Sequence, residues 1–264
     1  MFRNHYDSDV TVWSPQGRLH QVEYAMEATK LGSAAVGVKN SSHAVLVALK
    51  RAASELSSYQ KKIVPIDAHV GVAITGLTSD ARRLCRLMRT RCQTHTYNHD
   101  DPIPVCRLMS WLATTLQLGT QRYDRRPAGV GFLVAGYDDG GPHVYSTCPS
   151  ANIHDCQAMA MGSRSQSAKT YLEKHLNSML GTTADELILH GLRALRETMA
   201  ADNEMTARSI SIAIVGKDTP FETLDEGRTA SYLEKITGER GERGGTGRSH
   251  PDSEGGDQET ASQQ

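Results

Sequence analysis

Apolar residues at Leu19, Val22 and Met26 recur in steps of three and four, the spacing that puts them on one face of a helix. The helix predicted there runs from about Leu19 to Lys30, after the turn-forming Ser14-Pro15-Gln16-Gly17 and before Gly32 as a stop. The pattern then shortens to small and β-branched runs at Ser33–Lys39 and His43–Lys50, a hairpin around Asn40-Ser41-Ser42. Lys61–Val64 and Val70–Ile74 read as two further strands. Helical spacing returns from Ser79, with Leu84, Leu87, Met88 and Cys92 in register. Pro102 and Pro104 separate it from a second stripe of Val105, Leu108, Leu112 and Leu116. Strands follow at Gly129–Tyr137, His143–Cys148 and Ala158–Met161. Two more helices come next. Ala168, Tyr171, Leu172, Leu176 and Met179 line the first, and Thr183-x-x-Glu186 opens the second as a capping box. In the last strand, Ser209–Val215, Ile210, Ile212 and Ile214 alternate with smaller residues.

Helices thus come in adjacent pairs between groups of strands. That order argues against a doubly wound parallel sheet and for two stacked, mainly antiparallel sheets with helix pairs outside. Many strand positions are Ala, Gly or Ser, which lets layers approach closely. Composition changes once, near Gly238, beyond which Ala261 is the sole aliphatic residue. The expected organisation is an N-terminal tail over 1–13, one folded unit over 14–237 and a disordered polar tail over 238–264, which has too little apolar surface to offset its ordering entropy.

The chain has 264 residues and a formal net charge of −1, a balance that carries no electrostatic footprint for nucleic acid or membrane. No run approaches the ~18 apolar residues of a membrane span. Met1–Val12 has no apolar signal-peptide core, so secretion is not expected. The five cysteines are odd in number and include no C-x-x-C pair, which reads as reduced thiols in cytoplasm or nucleus. The sequon at Asn40 is accordingly treated as a turn.

Bland readings hold for several chemical motifs. Met161–Thr170 ends in Lys169-Thr170 like a phosphate loop, but Ser163 and Ala168 stand where glycines must let the backbone approach phosphate. The eleven histidines make no zinc-type spacing, and His175 and His190 fall on separate predicted helices. No metal or other cofactor is expected. Arg82, Arg83, Arg86, Arg89 and Arg91 share a helix with no acid between Asp80 and Asp100. An acidic partner is the sharp reading and a solvated face the favoured one. Nucleic-acid binding is disfavoured by the absence of interleaved aromatics and of net positive charge.

The segment Tyr6–Ala28, with Tyr6-Asp7-Ser8, Ser14-Pro15-Gln16-Gly17-Arg18-Leu19 and Gln21-Val22-Glu23-Tyr24-Ala25, resembles the N-terminal signature of 20S proteasome alpha-type subunits. Lys61-Lys62-Ile63, Gly76–Arg82, Arg126–Val130, Gly136-Tyr137-Asp138 and Pro142–Ala151 continue the likeness in order. It spans about Phe2 to Lys217. The resemblance implies an α+β fold, the four-layer αββα sandwich of N-terminal-nucleophile hydrolases. It also implies a seven-membered ring of alpha subunits stacked on beta subunits, with peptidase activity confined to certain beta subunits. By that likeness Tyr6, Asp7, Pro15 and Tyr24 form a cluster that fixes the gate tail, with Ser8 replacing the usual third-place arginine. Lys62 lies in a pocket that receives an activator's terminal carboxylate, so regulatory activators and sister subunits are the expected partners. The rival is a self-processing hydrolase with Ser33 as nucleophile, cut at Gly32-Ser33. Against it, an apolar-faced helix precedes Ser33 and Leu49 replaces the family's acid. The chain is therefore expected to carry no catalytic residue of its own.

Overall fold

Strands β1 (Ala35–Lys39), β2 (His43–Leu49), β3 (Ile63–Asp67), β4 (Val70–Gly76), β5 (Val130–Asp138), β6 (Gly141–Thr147), β7 (Ile153–Asp155), β8 (Ala158–Met161), β9 (Ile210–Gly216) and β10 (Thr219–Thr223) form two five-stranded sheets in the computed structural model. The structure describes residues 6–52, 56–199 and 205–244, with side chains up to 236. One sheet has the order β10-β9-β2-β1-β8 and the other β3-β4-β5-β6-β7. Neighbouring strands in both sheets run antiparallel. The helices are α1 (His20–Lys30), α2 (Thr78–His99), α3 (Val105–Gln121), α4 (Ser165–Met179), α5 (Ala184–Arg196) and α6 (Glu226–Gly244).

Side-chain alternation explains the layering. Along β9, Ile210, Ile212 and Ile214 face the helices, where they join Val36, Val38, Val45 and Val47 with Leu172 of α4, Leu187 and Leu192 of α5 and Ile236 of α6. Ala213 and Val215 face the other way, into a layer between the sheets with Ala35, Ala44, Leu46, Ala48, Ala73, Leu133 and Ala135. The alanines of these strands thus mark the sheet-to-sheet contact. The third apolar layer joins Val70, Val72, Ile74, Val130 and Phe132 to Leu84 and Met88 of α2 and to Leu108 and Leu112 of α3. Three cores separate four layers, which is the αββα sandwich. Gly191 of α5 permits the close packing, because a Cβ there would meet Val47 Cγ2 at 2.8 Å.

The turn between β1 and β2 has a local cause. Asn40 Oδ1 accepts hydrogen bonds from the backbone of Ser42 (2.9 Å) and His43 (2.6 Å), while its amide donates to the Thr182 carbonyl (2.8 Å). The capping box at Thr183 and Glu186 is present in both directions. Three elements escape the hydrophobic pattern. β7 is three residues long, and β10 (Thr219-Pro-Phe-Glu-Thr223) is an edge strand with only Phe221 as a large apolar residue. α6 buries Tyr232, Leu233 and Ile236 but then continues through polar sequence, so the helical backbone crosses the expected boundary at 238 and reaches Gly244. The rest of that polar segment, 245–264, lies outside the described residues. At the other end, Val10 is buried, so packing begins inside the segment expected as a tail.

Candidate functional site

The N-terminal segment reaches α1 through Asp7. Tyr24 Oη donates to Asp7 Oδ2 at 3.1 Å, and the Gln21 side-chain amide donates to the Asp7 carbonyl. Gln21 and Tyr24 are three apart on α1, so one face of the helix holds both contacts. Thr11 N donates back to Asp9 Oδ1 at 2.9 Å, and Val10, Thr11 and Trp13 line a groove with Leu19 and Gln117, Thr120 and Gln121 at the end of α3. Pro15 is exposed in the turn that leads into α1, where Ser14 Oγ accepts from Arg18 N at 3.1 Å and Gly17 N donates to the Ser14 carbonyl at 2.8 Å. Gly17 has φ +73°, a backbone conformation that favours glycine. Tyr6 is half-buried one residue before Asp7. Of the four expected cluster residues, the hydrogen bonds among the described residues therefore join Asp7 to Tyr24, and none involves Tyr6 or Pro15. Gln21 was invisible as a site residue in the sequence. Its signal is its place one turn before Tyr24.

Lys62 precedes β3, where its carbonyl accepts from Ile74 N at 2.9 Å. The residue is 3% exposed, and its side-chain ammonium has no hydrogen-bond or ion-pair partner among the described residues. Burial, with the nearby Arg51 guanidinium adding in the same direction, lowers its ammonium pKa to about 8. Arg51 is tied to the residues just before Lys62 by a backbone hydrogen bond, Gln60 N donating to the Arg51 carbonyl at 3.0 Å. The sequence marks neither the burial nor this neighbour.

Ser33 is buried, and its Oγ has no hydrogen-bond partner. The backbone passes through it without a break in packing: Ser163 N donates to the Gly32 carbonyl at 2.7 Å. Gly162, at φ +95°, sits so close that a Cβ would meet the Ser33 carbonyl at 2.6 Å. Leu49, expected where the family has an acid, packs against the helix-side core of the first sheet. His20, Val22 and Thr29 of α1 are buried ahead of Ser33. His175 and His190, separate in sequence, are brought to 6.0 Å between ring centroids, and Tyr171 stacks on His175 at 4.2 Å. Among the described residues no group of three or more His, Cys, Asp or Glu is placed to hold a metal.

A family model described as "Proteasome subunit" matches residues 29–215, and a second proteasome model, for the "A N-terminal signature", matches residues 6–28. The chain belongs to the proteasome subunit family. The N-terminal match makes it an alpha-type member of the 20S core, and the fold is that family's N-terminal-nucleophile-hydrolase sandwich. It is 56% identical over 236 residues to the proteasome subunit "alpha type-1" of Drosophila melanogaster, covering 88% of this chain and 85% of the relative. A Dictyostelium discoideum protein of the same name is 54% identical over 240 residues, covering 90% and 97%. The probable proteasome subunit "alpha type-6" of Schizosaccharomyces pombe is 52% identical over 241 residues, covering 91% and 88%. Such coverage makes the likeness one of whole subunits. The junction of the two family matches, at 28–29, falls inside α1. The alpha-type segment thus includes both Asp7 and the helix that binds it, while Ser33 and Lys62 lie in the part shared across proteasome subunits.

Proposed function

We propose that this alpha-type subunit is a non-catalytic gate and docking element of the 20S core, working in cytoplasm and nucleus. Its N-terminal segment helps close the axial pore of the alpha ring, and Lys62 receives the terminal carboxylate of an activator. The observation that carries this reading is the tie between Asp7 and α1 through Tyr24 and Gln21. It anchors the segment on α1 at Asp7. Lys62 supports the docking half: a buried ammonium without a counter-ion is costly unless a carboxylate arrives to pair with it.

Ser33 lacks what a peptidase of this kind requires. A nucleophile of this type needs a free α-amine and a base. Here the Ser33 nitrogen is in a peptide bond after a packed helix, and Leu49 supplies no carboxylate. Deletion of residues 2–9 tests the gate. Core particles carrying it should hydrolyse short peptides faster without activator, most clearly when neighbouring alpha tails are also shortened. Unchanged basal hydrolysis in that combined background would remove the gating role.

A further inference from the structure

Arg82, Arg83, Arg86 and Arg89 of α2 are exposed and Arg91 is half-buried, and one of the exposed four borders a groove. Arg83 lies beside the segment that follows α3, and that segment brings Arg125 and Arg126 to the same groove, a space of about 540 Å³ floored by Leu87 of α2 and Thr115 and Gly119 of α3. Gly119 permits the approach, since a Cβ there would meet the Arg126 carbonyl at 2.9 Å. One carboxylate lines the groove, and it is already committed. Asp80 accepts from Arg126 Nη1 (2.7 Å) and Nη2 (2.9 Å) and from Gly129 N (3.0 Å). This pairing, with Arg83 acting in the same direction, holds Asp80 below the usual carboxylate range. Arg83 and Arg125 have no carboxylate partner among the described residues, and Arg86, exposed one turn along α2, extends the positive face.

We propose that this groove seats an acidic segment of another proteasome subunit, whose Asp or Glu side chains pair with Arg83 and Arg125. Guanidinium forks match carboxylates in geometry. Clustered like charges are tolerated in water but must be neutralised once an interface excludes it. Nucleic acid fits less well, because no aromatic side chain lines the groove for base stacking and the chain is not basic overall. The inference rests on membership in a multi-subunit core and is independent of the gate reading, whose readout is basal peptide hydrolysis.

The test uses assembled core particles. In R83K and R125K variants the guanidinium is replaced by an amine that a zero-length carbodiimide can join to a neighbouring carboxylate. Peptide mapping is expected to find both variants crosslinked to acidic residues of one segment in another subunit, at yields well above wild type. In co-expression with wild type, R83E/R125E should enter particles about tenfold less often, the lower end of what close interfacial charge pairs contribute. Crosslinks confined to this chain overturn the proposal even if the charge-reversed variant fails to fold. So does incorporation of R83E/R125E at wild-type level, or nucleic acid that copurifies with wild-type particles and is lost from R83E/R125E particles.

Discussion

Lys62 is a buried lysine whose ammonium has no counter-ion among the described residues. Its ordinary pKa of 10.5 falls to about 8 in the fold. Between those values the unfolded chain binds a proton that the folded chain does not, so this group makes stability rise with pH through that window, and below it the buried ammonium is a standing cost. Lys62→Met should therefore leave the thermal stability of the subunit unchanged or raised, since it exchanges a buried charge for an apolar chain of similar length. The same change should weaken activator docking at this pocket by about 2–5 kcal/mol if the pair forms in a groove. Wild-type docking should itself weaken as pH rises above about 8, because a neutral amine no longer attracts the carboxylate. Titrating activator affinity against pH for wild type and Lys62→Met checks both statements. A pH-independent affinity, equal in the two, would mean that Lys62 faces no carboxylate. None of this was legible in the sequence, which marks Lys62 by its likeness to a family motif. The burial and the Arg51 neighbour are set by contacts that no local pattern marks, such as the hydrogen bond from Gln60 N to the Arg51 carbonyl.

At the scale of elements, the cleanest sequence-to-structure link is the start of α5. Thr183 Oγ1 accepts from Glu186 N at 3.4 Å, and Glu186 Oε2 accepts from Thr183 N at 3.2 Å. Both orphan donors are thus satisfied, and Thr183→Ala should cost about 1 kcal/mol, read as a lowered thermal midpoint with no change of fold. Thr183→Ser should keep most of that stability, which separates capping from a simple packing loss. The capping box, the α2 and α3 stripes and the β9 alternation could be read directly because each is a local rule about period or capping. β10 could not, since Thr219 to Thr223 is held at a sheet edge by pairing with β9. α6 was hidden for a different reason: Tyr232, Leu233 and Ile236 make a short apolar face that only the underlying sheet completes.

For the whole molecule, the alanine-rich inner strand faces foretold close layers, but which helices cover which sheet depends on strand order, and strand order is non-local. The N-terminal cluster shows the same divide. Asp7 and Tyr24 were identifiable through their motif, while Gln21 was found only because helix and tail meet. Large apolar residues remain exposed along the N-terminal side: Trp13, Met26 and Leu31, the last 78% exposed. A protein that lives in a ring buries such residues against neighbours. This chain should accordingly be found in particles of several hundred kilodaltons together with related subunits. Native mass spectrometry of those particles, with release and intact-mass measurement of this chain, distinguishes an uncut alpha-type subunit from a self-processed hydrolase. The expected result is a chain that leaves the assembled core still carrying α1 and the Gly32-Ser33 bond. A released chain whose first residue is Ser33 would show self-processing and a nucleophile at that position.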